Sequence, residues 1–148
     1  METVRIDGLR ELDRALGELP RQATAKAVLR RVLKRAGEPI AEKANALAPD
    51  DPSTPGGLHV SVVVGTKLNK RQARIERKAD DRAFQAMYVG TNDVAGVQQE
   101  FGNINHGPQS FMRPAWDGEQ HTALRIIADD LGDEIAKTAK RLAARGAR

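Results

Sequence analysis

The first periodic pattern in the chain is a row of leucines at helical spacing. A helix over residues 7–19 brings the four leucines to one face, and Asp7 precedes them as a candidate N-cap. Pro20 follows the last leucine and is expected to end the helix. Residues 3–6 before it favour a short strand or an extended lead-in. The leucines of this row are Leu9, Leu12, Leu16 and Leu19.

A second, longer row of apolar residues predicts a helix over about residues 21–47. The steps of three and four residues between its members are typical of one buried helix face. Pro39 lies inside the row, where it removes one backbone N–H and crowds the preceding turn, so a kink is expected near residues 37–39. The row consists of Leu29, Val32 or Leu33, Ala36, Ile40, Ala44 and Leu47.

Two stretches with strand character follow a segment that cannot form regular structure. Residues 49–57 contain three prolines and two glycines, which end the helix. Apolar residues then alternate along residues 58–64, and this predicts a strand with one apolar face. Strand character returns over residues 83–90, and the polar residues 91–93 after it predict a turn.

The last third of the chain predicts two helices joined by a loop. A short helix is expected over residues 94–101, closed by Gly102, with loop over residues 103–109. A long helix is expected from about Pro114 or Asp117 to Leu142. The whole pattern predicts one α+β domain over residues 1–148, in which a small antiparallel sheet packs against a long kinked N-terminal helix and a long C-terminal helix. The apolar stripe of the last helix consists of Trp116, Leu124, Ile127, Leu131, Ile135 and Leu142.

The apolar residues are small, which limits the core that one chain can build. Of 148 residues, 40% are apolar, 22 are alanine and only five are aromatic. Because apolar burial stabilises by roughly 25 cal/mol per Å², each alanine contributes little. The composition therefore favours a protein that completes its core against neighbouring molecules. The aromatic residues are Phe84, Tyr88, Phe101, Phe111 and Trp116.

Composition also disfavours several classes of protein. No run approaches the ~20 consecutive apolar residues that span a bilayer, and residues 1–3 lead into no signal-peptide pattern. The chain has no cysteine, so it offers no disulfide and no thiolate, which fits a reducing cytoplasm. A net charge of +4 is compatible with polyanion contact without requiring it.

The sequence contains no enzyme signature, and we expect neither a cofactor nor a metal. None of its three serines lies in a G-x-S-x-G turn, and no phosphate loop follows its paired glycines. The three histidines include no pair at the i, i+4 spacing of zinc ligands. An alternative hypothesis is a small hydrolase whose metal ion is held by His106, His121 and Asp117.

A basic segment over residues 67–82 is expected to be an exposed arm, either a hairpin extension or a short helix. It contains seven bases and three acids. Such a segment can neutralise phosphates but has no rings on which bases could stack, so any nucleic-acid binding is expected to be sequence-independent and salt-sensitive. A solvated arm, or one that pairs with an acidic protein, is equally compatible. Its cations are Lys67, Lys70, Arg71, Arg74, Arg77, Lys78 and Arg82.

Residues 88–117 carry the most informative motif of the chain. They hold four of the five aromatic residues, and aromatic, Met and Arg side chains clustered on loops are typical of interface cores. The motif closely resembles that of the tail-component family of long-tailed bacteriophages, the minor tail or neck proteins of the head–tail junction, and the similarity spans nearly the whole chain. Ser110 departs from the family, which often has proline there. The matching residues are Tyr88-Val89-Gly90, Glu100-Phe101-Gly102 and the run from Pro108 to Ala115.

The resemblance implies a structural virion protein without an active site. Members of the family form rings, commonly sixfold, that complete or terminate the tail and join it to the filled head, with DNA passing through the lumen. The implied partners are further copies of the chain, the tail tube protein and the head-closure protein, and assembly is expected in the host cytoplasm. The basic arm is expected to contact a neighbouring ring or line the DNA path. The residues expected at subunit contacts are Glu100, Phe101, Gly102, Phe111, Arg113, Pro114 and Trp116.

Overall fold

The structure is a computed structural model that describes residues 22–49, 57–76 and 85–146. In these ranges the chain is mostly helical with one small antiparallel sheet, which is an α+β fold. The predicted helix over residues 7–19 and the lead-in over residues 3–6 lie outside the described residues. Arg77, Lys78 and Arg82 of the basic arm also lie outside them.

Two long antiparallel helices form the frame of the fold. Helix α1 spans Gln22–Leu47 and helix α4 spans Met112–Gly146. Val28 of α1 packs with Leu131 of α4, whereas Ala44 near the end of α1 packs with Ala115 near the start of α4. Alanines supply six of the fourteen buried apolar residues in the described ranges. None of the helices there combines the length and apolar character needed to cross a membrane.

Helix α1 matches its prediction closely except at its end. Val32, Ala36 and Ile40 are buried as expected, but Leu47 is 42% exposed and Ala48 is buried instead. The prediction for Leu47 is wrong because the buried row continues in steps of four residues, whereas the predicted row changed to a step of three. The helix is continuous across Pro39, and a kink there stays a prediction.

Helix α4 begins earlier than predicted, and it buries Leu131 and Ile135 of the predicted stripe but not Trp116. It starts at Met112, so Pro114 is its third residue and Asp117 lies within it. Ala115 is fully buried against α1, whereas Trp116 is 54% exposed, so the placement of Trp116 in the buried stripe is wrong. A small side chain occupies the contact between the helices. The side chain of Leu142 lies outside the described residues.

The sheet consists of two short strands, β1 (Val63–Gly65) and β2 (Tyr88–Gly90), with Val64 opposite Val89. The strand predicted over residues 58–64 is wrong in its first part, where Leu58–Val60 form a single 3-10 turn. The Asn45 side chain of α1 bonds to the backbone of Val62, just before β1, as a neighbouring strand would. Its amide donates to the Val62 carbonyl, and its oxygen accepts the Val62 N–H, both at 3.0 Å.

Two short helices complete the described elements. Helix α2 (Lys70–Glu76) lies in the basic arm, and it begins with reciprocal hydrogen bonds between Asn69 and Gln72. This part of the arm is therefore a short helix, one of the two forms predicted. Helix α3 (Val94–Phe101) has the predicted bounds, with Asp93 accepting the Ala95 N–H at 2.9 Å as its N-cap.

Candidate functional site

Glu100 is a buried carboxylate that joins the end of α3 to the start of α4. It is 5% exposed. Its Oε2 atom accepts the backbone N–H groups of Phe111 and Met112 at 2.8 and 2.9 Å. Its Oε1 atom accepts the backbone N–H and the side-chain Nε of Arg113 at 3.2 and 2.9 Å. One carboxylate thus receives four hydrogen bonds.

These bonds account for every backbone N–H at the start of α4 that lacks a helical partner. A helix leaves its first four N–H positions unpaired, and the first bond within α4 runs from the Ala115 N–H to the Phe111 carbonyl. Three of the four preceding positions bond to Glu100, and the fourth is Pro114, which has no N–H. Glu100 is therefore a complete cap, and its charge lies at the positive end of the helix dipole.

Arg113 encloses this cap from the solvent side. Its Nη2 atom donates to the Glu100 carbonyl at 3.0 Å and to Ser110 Oγ at 3.2 Å. Ser110 Oγ itself donates to the same carbonyl at 2.9 Å. Arg113 Cζ lies 5.4 Å from the centre of the Phe101 ring, a cation–π distance. Arg113 thereby ties the end of α3 to the first turn of α4.

The surroundings of Glu100 keep it ionised. Burial alone would raise the pKa of Glu100, because it disfavours the charged form. Hydrogen bonds from the Arg113 side chain and from the backbone of Met112, Phe111 and Arg113 oppose this effect, and the pKa of Glu100 lies below its ordinary value. Glu100 is thus a structural anion at neutral pH, in contrast to the raised pKa of a general acid.

Gly102 turns the chain out of α3 into the loop that leads to α4. Its φ is +78°, in the region that favours glycine, and its N–H donates to the Gln98 carbonyl at 2.7 Å. A Cβ at this position would lie 2.9 Å from the Pro108 backbone nitrogen. The loop therefore folds back against Gly102, which places Glu100 next to the residues it caps.

An apolar surface remains exposed beside this cap. Val94, Val97 and Phe101 recur at i, i+3 and i+7, so they share one side of α3, and they are 74%, 63% and 68% exposed. Ile104, in the following loop, is 99% exposed. We call these four residues the α3 face. Exposed apolar patches are typical of interaction sites.

Phe101 of the α3 face was predicted at a contact, but Val94, Val97 and Ile104 of that face were not, and neither was Ser110. The helical spacing of the two valines and Phe101 was a signal that could have found the face. The role of Ser110 depends on a carbonyl ten residues away in sequence, which no local pattern indicates.

The structure separates the seven residues predicted at subunit contacts into two groups. Glu100 and Phe111 are buried inside the chain, Phe111 completely, so they can support a contact surface only from within. Gly102 is half-buried. The exposed members are Phe101, Arg113, Pro114 and Trp116.

The described part of the basic arm presents cations to solvent. Lys67, Lys70, Arg71 and Arg74 are all exposed. Arg74 lies four residues after Lys70 and three after Arg71, so these three cations share one side of α2. This surface could approach a polyanion directly.

The residues of the hydrolase hypothesis are not assembled into a metal site. Among the described residues, no three His, Asp or Glu side chains are placed to hold a metal ion. His106 is engaged within its loop, where Nδ1 lies 2.9 Å from the Gly107 carbonyl and Nε2 lies 3.2 Å from Asn103 Nδ2. Asp117 and His121 are exposed on α4.

The site thus combines a fixed, ionised helix cap with an exposed apolar helix face. Such an arrangement can position a surface for binding, but its buried carboxylate is fully occupied by hydrogen bonds.

Comparison of the chain with models of protein families, with curated proteins and with solved structures gave no match.

Proposed function

We propose that this chain is a structural subunit of the neck of a long-tailed bacteriophage. Copies of it form a ring, with six as the expected number, that completes or terminates the tail at the head–tail junction. One side of the ring contacts the tail tube protein and the other contacts the head-closure protein, while DNA passes through the lumen. The subunit is assembled into the virion in the host cytoplasm. The resemblance carried by residues 88–117 supports this proposal.

The exposed α3 face is the observation that carries the proposal. Its four apolar side chains are more than half exposed, and burying them against a second subunit would stabilise an assembly by roughly 25 cal/mol for each Å² removed from water. Phe101 and Arg113 add a ring and a guanidinium, two groups enriched at the energetic centres of interfaces. The same residues in a solitary subunit would remain in contact with water.

The Glu100 cap supports the proposal by fixing how this face is presented. Glu100 and Arg113 hold α3 at a defined position relative to α4 through six hydrogen bonds, of which three join the two residues to each other and three join them to Phe111, Met112 and Ser110. A surface that is already ordered loses less conformational entropy on association. The proposed mechanism is therefore assembly by matching surfaces, without a chemical step.

Mass measurement of the assembly tests the proposal. Native mass spectrometry and light scattering should detect a closed ring of the wild-type chain, alone or after mixing with tail tube protein. Val97→Asp should reduce the ring population, because it places a charge in the α3 face. Val60→Asp is the matched control, since Val60 is 57% exposed and Val97 is 63% exposed, but Val60 lies outside that face.

Two outcomes would contradict the proposal. One is a chain that stays monomeric at all concentrations, even with tail tube protein present. The other is equal assembly by the two valine variants, since the α3 face would then not be the contact surface.

A second candidate function is sequence-independent binding of nucleic acid by the basic arm. The exposed side chains of Lys67, Lys70, Arg71 and Arg74 favour it, because accessible cations can release counterions from a phosphate backbone. Neutralising these cations tests this function separately from ring assembly.

A further inference from the structure

The two-stranded sheet packs on α1 through one of its faces. A Cβ on Gly37 of α1 would lie 2.9 Å from a methyl of Val64 and 3.2 Å from a methyl of Val89, so these two valines lie on that face. Because side chains alternate between the faces of a strand, strand residues 63, 65, 88 and 90 lie on the opposite face. This second face forms the floor of a cleft of about 480 Å³, which we call the sheet cleft. The described residues that line it include Val63, Gly65, Leu68, Tyr88, Gly90 and Asn92.

Two glycines leave the floor of the sheet cleft open. In the register of the sheet, Val63 lies opposite Gly90 and Tyr88 lies opposite Gly65, so each large side chain has a position without a side chain beside it. Neither glycine has a positive φ, and a Cβ on either one would meet no atom of the described residues within 4 Å. Glycine weakens a strand, and its presence there often marks a close approach of another chain. The two glycines therefore provide space that the described part of the chain does not itself use.

The loop after α3 presents Ile104 as an ordered, projecting side chain. Ile104 is 99% exposed. The Asn103 Oδ1 atom accepts the N–H groups of Asn105 and His106 at 2.8 and 3.0 Å, and the Asn103 N–H donates to the His106 carbonyl at 2.9 Å. Because these bonds already order the loop, burying Ile104 against a partner loses little conformational entropy.

The α3 face and the sheet cleft match in charge. Within residues 94–107 the single Asp, Glu, Lys or Arg is Glu100, and it is buried. Among the described residues that line the sheet cleft, Lys67 is the one with a charged side chain. Charged residues make up 30% of the whole chain, so both surfaces are poor in charge. Depletion of charged residues is typical of the core of a protein–protein interface.

The sheet cleft and Ile104 lie at opposite ends of α3. Asn92 lines the cleft and precedes the Asp93 N-cap, whereas Ile104 comes three residues after the end of the helix at Phe101. The eight residues of α3 form a helix about 12 Å long, which holds Ile104 away from the cleft of its own chain. A closed ring requires two different surfaces on each subunit that fit each other. The α3 face and the sheet cleft are two such surfaces.

We propose that the α3 face of one copy of the chain docks in the sheet cleft of the next copy, with Ile104 over Gly65 and Gly90. This inference rests on the proposed function, because it names the second surface of each contact in the ring. Every subunit then uses its α3 face toward one neighbour and its sheet cleft toward the other. The buried Glu100 cap fixes the direction in which the α3 face projects.

Two substitutions each disable one of these surfaces. Ile104→Asp places a charge at the end of the α3 face, and Gly65→Leu fills the sheet cleft. Native mass spectrometry should show that each variant loses the ring under conditions in which the wild type forms it. Gly132→Leu on α4 is the control for an added leucine, because a Cβ there also meets no described atom within 4 Å, and it should retain the ring. Circular dichroism establishes that each variant is folded.

Mixing the two variants tests the pairing itself. An equimolar mixture of Ile104→Asp and Gly65→Leu chains should form a dimer with one copy of each, because the intact α3 face of the second meets the intact cleft of the first. Neither variant should dimerise alone. A mixture that stays monomeric, or rings that persist in the Gly65→Leu variant, would overturn the inference and leave the ring in place. Absence of a ring in the wild type would instead contradict the proposed function.

Cross-linking tests the same contact with smaller changes. The chain has no cysteine, so single cysteines can be introduced in separate preparations and mixed before assembly. A short bismaleimide should join Ile104→Cys of one chain to Gly90→Cys of another, and Val60→Cys is the control partner at an exposed position. Equal yields for the two pairs, or cross-links chiefly between two Ile104→Cys chains, would overturn the inference.

Discussion

Arg113 donates twice to the carboxylate of Glu100, from its backbone N–H at 3.2 Å and from its side-chain Nε at 2.9 Å. Arg113 therefore belongs to the first turn of α4, which Glu100 caps, and its guanidinium also neutralises the charge of the Glu100 carboxylate. Its side chain is 62% exposed, whereas that of Glu100 is 7% exposed. Removing Glu100 is expected to cost more than removing the Arg113 side chain, because it also leaves the backbone N–H groups of Phe111 and Met112 without an acceptor.

Replacing Glu100 by glutamine should destabilise the chain. Glu100→Gln removes the charge and turns one acceptor into a donor, which leaves buried N–H groups at the start of α4 without a partner. A loss of about 2–3 kcal/mol in the free energy of unfolding is expected in urea titrations. Glu42→Gln, at an exposed position of α1, should change it by less than about 0.5 kcal/mol. Similar losses in both variants would argue against the capping role.

Stability should fall as the solution becomes acidic. The pKa of Glu100 is lowered in the folded chain by the Arg113 and backbone hydrogen bonds, which outweigh burial. The pKa of Glu134 is also lowered, chiefly by a hydrogen bond from Arg31. The unfolded chain therefore binds more protons in acid, so stability present above the ordinary glutamate pKa is lost as pH falls through the folded values.

The urea midpoint, measured from neutral pH downward, checks this dependence. Glu100→Gln should show a shallower decline than the wild type, because it lacks one of these two carboxyl groups with a lowered pKa. A decline of the same steepness would show that Glu100 does not contribute to it.

A side chain at Gly102 should be tolerated far less than one at Gly107. Gly102→Ala forces a Cβ into a backbone conformation that glycine favours and within 2.9 Å of the Pro108 nitrogen, so a loss of about 1–3 kcal/mol is expected. A Cβ at Gly107 meets nothing within 4 Å, and Gly107→Ala should be nearly neutral. Thermal unfolding of the two variants measures the difference. Equal melting temperatures would contradict the loop geometry.

Two glycines inside helices should respond in opposite directions to alanine. Gly118→Ala places its Cβ in open space and should stabilise the chain by about 0.5–1 kcal/mol through helix propensity. Gly37→Ala has the same propensity gain, but its Cβ would lie 2.9 Å from a methyl of Val64. Because valine is stiff, the sheet must move, and we expect net destabilisation in urea. A stabilised Gly37→Ala variant would refute the close packing of α1 on β1.

Neutralising the basic arm should abolish any binding of duplex DNA. The change is Lys70, Arg71, Arg74 and Arg77 to glutamine, and fluorescence anisotropy at increasing salt concentration measures the affinity. Wild-type affinity should fall steeply with salt because counterions are released. Replacing four exposed cations at the end of α4 by glutamine, Lys137, Lys140, Arg141 and Arg145, controls for net charge. Unchanged affinity in the arm variant would exclude the arm as the binding surface.

The helices could be predicted well because their signals are local. Helix α3 has its predicted bounds, and within the described residues α1 is helical from Gln22 to its predicted last residue, Leu47. Apolar spacing, a capping Asp93 and a terminating Gly102 all act within a few residues of one another.

The sheet and the buried rows could not be predicted as well, because they depend on distant partners. Val62 satisfies its backbone through the Asn45 side chain, and no alternation pattern reveals such a partner. Trp116 and Leu47 are larger and more hydrophobic than the neighbouring residues Ala115 and Ala48, yet the two alanines are the buried residues. Closely packed antiparallel helices select small side chains over large ones.

The sequence by itself determined where α1 and α3 lie and which class of fold the chain forms, and it singled out residues 88–117, which contain the Glu100 cap. Only the tertiary structure decided what each residue of that motif does. Glu100 becomes a helix cap because the turn at Gly102 returns residues 111–113 to its carboxylate, while Phe101 on the neighbouring position remains in solvent. Spacing along the chain determines helices, but a hydrogen bond between residues more than ten positions apart depends on how the whole chain folds.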